Sequence, residues 1–230
     1  MYEKILKRCL DFVLSFCALV ILSPIFIVLI ILGMIFMGGN PFFTQKRPGK
    51  NERIFKLVKF RTMNNRCDKN GELLPDDVRL NKYGRILRST SLDELPELIN
   101  ILKGDMSIVG PRPQLVRDMV FMSREQCRRH SVRPGLTGLA QVNGRNNITW
   151  EQKFEYDLQY ISDITFWNDV KIIIKTVEKV LKRSDVVREG TDSDMDFGDW
   201  LLQNERIGRS EYDEKQRYAV ELLEGKACNY

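Results

Sequence analysis

From Phe12 to Met37 the chain runs for 26 residues without a charged side chain. At about 1.5 Å per residue a straight helix of that length reaches about 39 Å, more than the roughly 30 Å of a bilayer's hydrocarbon core. The run is too long for a cleavable signal peptide, and no small-residue cleavage site follows it. Two features argue against a simple span. Ser23-Pro24 falls near the middle, where proline removes a backbone hydrogen bond and bends a helix, while a serine hydroxyl can satisfy a freed carbonyl. Lys4, Lys7 and Arg8 precede the run and Lys46, Arg47, Lys50 and Arg53 follow it, so the positive-inside rule puts both flanks in the cytoplasm. The expectation is a reentrant membrane helix-break-helix over residues 1–40, with a kinked true span as the alternative.

The charge of the remainder is divided. Residues 184–230 hold 6 Lys+Arg and 12 Asp+Glu, a net of −6, whereas residues 1–183 hold 30 and 19, a net of +11. A basic surface suits nucleic acid, anionic lipid or a polyphosphate ligand, and charge alone does not choose among them. The acidic part reads as a linker and tail, with a terminal helix over Arg209 to Gly225. Five scattered cysteines indicate neither a disulfide frame nor a zinc site, and a reducing compartment suits them. His130, the only histidine, excludes most Ser-His and Cys-His nucleophile schemes and reads as structural.

Between these parts the stretch Thr90 to Pro113, TSLDELPELINILKGDMSIVGPRP, carries the chemistry. Ser91 followed by Glu94 reads as a capping box, and Leu92, Leu95, Leu98, Ile99 and Leu102 recur at helical spacing up to Gly104, a C′ residue. A helix starting near Ser91 would hold Asp93 and Glu94 in its first turn, where free N–H groups favour anions. Neighbouring helical residues diverge by about 100°, so the two carboxylates need different tasks. Pro111 and Pro113 fix the backbone around Arg112, and a pre-set guanidinium suits an oxyanion. The bland alternative is a capped helix beside a decorated turn.

Ile54 to Met63 reads as a strand or extended segment, whose Lys56, Lys59 and Arg61 either snorkel or bind anions. Pro48 to Asn51 reads as the turn before it. Arg79 to Arg88 reads as a short helix delivering Arg85 and Arg88 near Asp93, and Gln114 to His130 as helical. The loop Arg133 to Asn146, with three glycines, lets backbone approach a ligand closely. Trp150 to Ile161 and Trp167 to Arg183 read as helices, the second with an apolar stripe and a lysine face suited to a membrane interface or to solvent. The fold class is therefore mostly α with short extended segments: the membrane hairpin, a compact cytoplasmic α/β-type catalytic domain over residues 41–183 with interfacial amphipathic helices, and the acidic tail over residues 184–230.

The segments KRCLDF, SP, FFTQKRPG, FKLVKFRTM, SLDELPELINILKGDMSIVGPRP and RPGLTGLAQVNGRN, in that order, resemble the bacterial sugar transferases that form the small monotopic phosphoglycosyl transferase family. The resemblance covers roughly Tyr2 to Gly190 and is nearest to enzymes of bacterial protein-glycosylation pathways that use a diacetamido-trideoxy sugar. It implies transfer of a sugar phosphate from a UDP-sugar to undecaprenyl phosphate, with release of UMP and a requirement for Mg2+. It implies Asp93 as nucleophile, Glu94 as its partner at the metal, and phosphate or substrate contacts from Lys59, Arg88, Arg112, Gln141 and Arg145. A hairpin broken at Ser23-Pro24, a monotopic seat on the bacterial inner membrane with the catalytic domain on the cytoplasmic face, membrane lipid as a partner and no nucleic acid also follow from it. Two other classes are a basic lipid-binding scaffold and an acid-dyad phosphodiesterase.

Overall fold

The computed structural model describes residues 2–144, 148–182 and 195–225. Helix α1 (Lys7–Met37) follows a wider π-helical turn and is continuous, with Pro24 inside it. The expected break at Ser23-Pro24 is thus not a break. Proline has no N–H to give the carbonyl four residues back, and that carbonyl, Val20 O, instead accepts from Ser23 Oγ at 2.8 Å. Only 11% of the most apolar stretch of α1 is buried, and Phe16, Ile21, Ile27 and Ile35 are among its bare side chains. A helix of that length and apolarity is consistent with membrane association.

Helix α1 touches the rest of the chain along its whole length. Near its start Arg8 donates to Ile101 O at 2.6 Å and Leu102 O at 2.8 Å, a cation on the last carbonyls of a helix, and buried Asp11 accepts from Ser107 Oγ at 2.7 Å and Ile108 N at 2.9 Å. Ala18 and Leu19 pack on Leu57, Leu98, Ile101 and Met106. Beyond Pro24, Phe26, Leu29 and Ile30 pack with Phe60, Tyr83 and Leu87, and Tyr83 donates to Leu29 O at 2.8 Å.

Strands β1 (Phe42–Pro48) and β2 (Ile54–Phe60) form an antiparallel hairpin, from Phe42 opposite Phe60 to Pro48 opposite Ile54. Its turn contains Lys50–Glu52, with Asn51 and Glu52 at positive φ (55° and 60°). Helices α2 (Asp76–Arg79) and α3 (Lys82–Thr90) occupy the region expected to hold one helix. Gly84 of α3 lies so close to Thr62 that a Cβ would stand 1.9 Å from the Thr62 carbonyl oxygen, an approach only glycine allows.

The expected helix from Ser91 is corrected. Ser91 is left-handed (φ 55°) and caps nothing with its side chain; Leu92–Glu94 form a single 3-10 turn, and α4 (Glu97–Lys103) begins only after Pro96. Proline belongs at the start of a helix because it lacks the N–H that an interior position must donate. Gly104 ends α4 at φ 90°, as expected. Strand β3 (Ser107–Val109) follows, and the Gln114 to His130 region is not one helix but α5 (Val116–Met119), α6 (Arg124–Cys127) and a 3-10 turn. Buried Asp118 accepts from Leu115 N and Phe197 N, and Ser123 with Gln126 forms a reciprocal cap that starts a new helix.

Strand β4 (Gly135–Thr137) pairs parallel with β3, and α7 (Leu139–Asn143) completes the glycine-rich segment. Helices α8 (Trp150–Ser162) and α9 (Phe166–Lys182) match the sequence reading. Of the acidic segment, residues 195–225 form α10 (Phe197–Gln203) and α11 (Arg209–Glu224), which pack on the domain rather than hang from it. Phe197 is buried against Phe121, Met122, Trp150 and Phe154, and Ala219 against Val116 and Met119. The small sheets are two-stranded, so the body is mostly helical with short strands.

Candidate active site

A cleft of about 760 Å³ opens where β2, α3, the 3-10 turn, the Gly110–Pro113 segment, α7 and α8 converge. Lys59, Arg88, Asp93, Glu94, Arg112 and Gln141 all line it. Arg145 lies outside the described residues. Arg85, expected beside Arg88, does not line the cleft.

Each side chain arrives there by a local cause. Lys59 lies on β2 two residues from Leu57, which docks in the core, and its ammonium reaches Glu94 Oε1 at 2.9 Å and Glu97 Oε1 at 3.0 Å. It is therefore an ion-pairing group and not a snorkelling one. Arg88 lies in the last turn of α3 and donates from Nε to Thr62 Oγ1 at 3.2 Å, which the close seat of Gly84 permits. Arg112 pairs with Glu94 Oε1 at 2.8 Å, and its own carbonyl accepts from buried Arg129 at 2.6 Å. Gln141 donates to Leu136 O at 3.0 Å, which leaves its buried Oε1 without a partner.

The electrostatics differ from the sequence expectation at one point. Asp93 was expected to be kept ionised by the N–H groups of a helix start. Burial, with Glu94 beside it, instead pushes its carboxyl up to about 6 against the pull of Lys59, Arg112 and Arg88. Glu97 is pushed up to about 7, again chiefly by burial and against Lys59. Glu94 holds Arg112 above its ordinary value despite burial. Burial drives Lys59 down, but Glu94 and Glu97 outweigh it and the net shift is upward. Arg47, buried near Arg112, is lowered to about 10. The result is two carboxyl groups, Asp93 and Glu94, interleaved with cations in the cleft, with Glu97 buried behind them on Lys59, an arrangement suited to a polyanion.

The sequence reading missed Glu97 and the Arg129–Asp157 pair. Glu97 carried a signal, an acid three residues after Glu94 in an otherwise apolar helical pattern. Arg129 and Asp157 are 28 positions apart, and their 2.7 Å contact had no local signature.

Residues 2–183 match the family described as Bacterial sugar transferase. An uncharacterized sugar transferase of Bacillus subtilis, EpsL, is 49% identical over 177 residues, which cover 77% of this chain and 88% of that protein. A UDP-glucose:undecaprenyl-phosphate glucose-1-phosphate transferase of Klebsiella pneumoniae is 40% identical over 77% of this chain and 40% of its own length. An undecaprenyl-phosphate galactose phosphotransferase of Salmonella typhimurium is 36% identical over 79% and 41%. The chain thus spans most of the first relative and about two fifths of the other two. The matched residues run from the apolar N-terminal helix through most of the cleft's lining to the end of α9, and this chain belongs to the bacterial sugar transferase family, homologous to undecaprenyl-phosphate sugar-1-phosphate transferases.

Proposed function

We propose that this protein transfers a sugar 1-phosphate from a UDP-sugar to undecaprenyl phosphate through a covalent intermediate on Asp93. The observation that carries this reading is the division of labour between neighbours. Glu94 is locked by Lys59 and Arg112, whereas Asp93 lines the same cleft and is paired with neither. One carboxylate organises the cations; the other is available to phosphorus.

In the first step an Asp93 carboxylate oxygen attacks the β-phosphorus of the UDP-sugar. The bond from that phosphorus to the oxygen bridging the two phosphates breaks, and its electron pair leaves on UMP. In the second, a phosphate oxygen of the lipid attacks the same phosphorus and the Asp93 carboxylate departs, giving the lipid-diphosphate-sugar. Lys59, Arg88 and Arg112 lie where they can take up the diphosphate's negative charge, and Gln141 Oε1 can accept from a donor hydroxyl or amide. The donor set suits Mg2+: Asp93 and Glu94 offer hard carboxylate oxygens, and such an ion is held by one or two carboxylates together with substrate phosphates. When bound, it supplies neutralisation of the diphosphate.

The body's contacts with α1 support the reentrant reading. A helix crossing the bilayer at right angles would leave the body at one end, whereas this one is held at Arg8 and Asp11 and again at Leu29. In this reading the cleft lies at the cytoplasmic face of the inner membrane, beside the lipid substrate. For the donor, the motif resemblance favours a UDP-diacetamido-trideoxy sugar of a protein-glycosylation pathway; UDP-glucose and UDP-galactose are the competitors that the relatives' names suggest.

The test is UMP release from a panel of UDP-sugars with and without undecaprenyl phosphate. Without acceptor the expected result is up to one equivalent of UMP and the mass of a sugar phosphate on Asp93, both lost in Asp93→Asn. Sustained UMP release to water would favour the phosphodiesterase, and a requirement for both substrates before any UMP appears would exclude the covalent route.

A further inference from the structure

His130 is 93% buried by its relative exposure of 7%, and neither ring nitrogen has a hydrogen-bond partner. A buried polar atom without a partner costs about 1–3 kcal/mol, so the imidazole calls for a ligand. It faces two other metal-ligating side chains. Glu52, at the tip of the β1–β2 turn, brings Oε1 to 3.5 Å from His130 Nδ1, and Cys127 closes the group; the ligand atoms of all three lie within 4.8 Å of one another. Among the described residues this is the group of histidine, cysteine and carboxylate side chains close enough to hold an ion.

We propose that Glu52, Cys127 and His130 bind one zinc ion. A thiolate, an imidazole and a carboxylate together are a borderline-soft donor set that suits Zn2+ and not Mg2+. Tetrahedral zinc with bonds of about 2.0–2.3 Å sets its ligand atoms roughly 3.3–3.7 Å apart, so the group, within 4.8 Å, needs to close by about 1.5 Å at most. The Glu52 side chain is 47% exposed, which gives it freedom to do so and gives the ion an entry path. Binding replaces the Cys127 thiol proton, which leaves to solvent. Thiolate and carboxylate then match the charge of the ion, and the adjacent Arg129 is already compensated by Asp157.

The site ties two segments that no hydrogen-bond ladder joins: the hairpin turn, at Glu52, and the α6-to-3-10 segment that carries Arg129. Because Arg129 holds the Arg112 carbonyl, zinc at this point braces the support of the cleft from behind without touching substrate. The sequence reading dismissed zinc because the cysteines show no paired spacing. Ligands from residues 52, 127 and 130 leave none to show.

The experiment uses the full chain in detergent, stripped of metal and then held in saturating Mg2+, with zinc titrated against a chromophoric chelator. One zinc per chain is expected, with affinity reduced at least a hundredfold in Cys127→Ser and in His130→Gln and retained in Asp93→Asn. As a check that needs no variant, Co2+ added to the unaltered protein should give a thiolate-to-cobalt charge-transfer band, and zinc should protect Cys127 from alkylation while exposed Cys67 stays reactive. Absence of the band, equal alkylation of Cys127 with and without zinc, or zinc retained by both variants would overturn the proposal.

Discussion

Arg129 donates a 2.6 Å hydrogen bond to the backbone carbonyl of Arg112, and so the guanidinium that meets Glu94 in the cleft is positioned by a second one buried behind it. Arg129 is in turn held by Asp157 at 2.7 Å, with both side chains almost wholly buried. Asp157→Asn should cost about 3 kcal/mol, since it strands a buried charge. Arg129→Met with Asp157→Leu, which removes both charges, should recover much of that stability. It should not restore kcat/KM, because the Arg112 carbonyl has lost its donor. Denaturation midpoints and initial rates on the same preparations check both statements.

The raised Asp93 carboxyl makes a prediction about pH. Its folded-state value is about 6 and its unfolded value about 3.9, so between those limits the folded chain keeps a proton that the unfolded chain has lost. Stability contributed by this group is therefore lost as pH rises through that window, and Glu97 adds the same sign up to about 7. Without metal, thermal unfolding should come at higher temperature near pH 5.5 than near pH 7.5 from these two groups. Mg2+ should narrow the difference. Activity has the opposite dependence: it should fall below pH 6 by about tenfold per unit, with the acid limb moving lower as Mg2+ rises.

Pro24 inside a continuous helix, with Ser23 serving the carbonyl that proline frees, makes the pair the natural place for α1 to bend. Replacing Ser23 and Pro24 with Ala and Leu should remove a helix penalty of about 3 kcal/mol and favour a straight span. In a background free of cysteine, probes at Glu3 and Lys50 should be labelled from the cytoplasmic side only in the parent and from opposite sides in the variant. A parent with Glu3 labelled from the periplasm would exclude the reentrant reading.

Residues 184–230 read from the sequence as an acidic linker and tail, but the contacts of the described part, residues 195–225, point to a share in the domain and its cleft. Phe197 fills the cluster beside Trp150, and Asp196 lines the cleft. A chain ended at Gly190 should expose Phe121, Met122 and Phe154 and lose several kcal/mol. Gly198→Ala is a finer test. Its Cβ would stand 2.5 Å from the Phe121 ring, and overpacking should cost about 1–3 kcal/mol. Thermal unfolding of each, compared with turnover, separates loss of fold from loss of chemistry.

What the sequence disclosed followed the range of the signal. Gly104 as a helix stop, the β2 strand and the spans of α8 and α9 depend on neighbours within a turn or two, and they were legible. Ser91 misled because its capping motif is overruled by Pro96, five residues on. Lys59, Arg88, Asp93, Glu94, Arg112 and Gln141 line one cleft. The groups behind them could not be read, because Asp11 with Ser107 and Arg129 with Asp157 pair across 96 and 28 positions.

The Asp11 contact has a consequence for how the protein is made. Asp11 stands one residue before the uncharged run, and its partners Ser107 and Ile108 emerge from the ribosome almost a hundred residues later. During synthesis the most apolar part of the chain thus leads with a carboxylate that has no mate. The apolar helix cannot complete its contacts with the body until half the polypeptide has been made, so its final seat is set by folding and not before it.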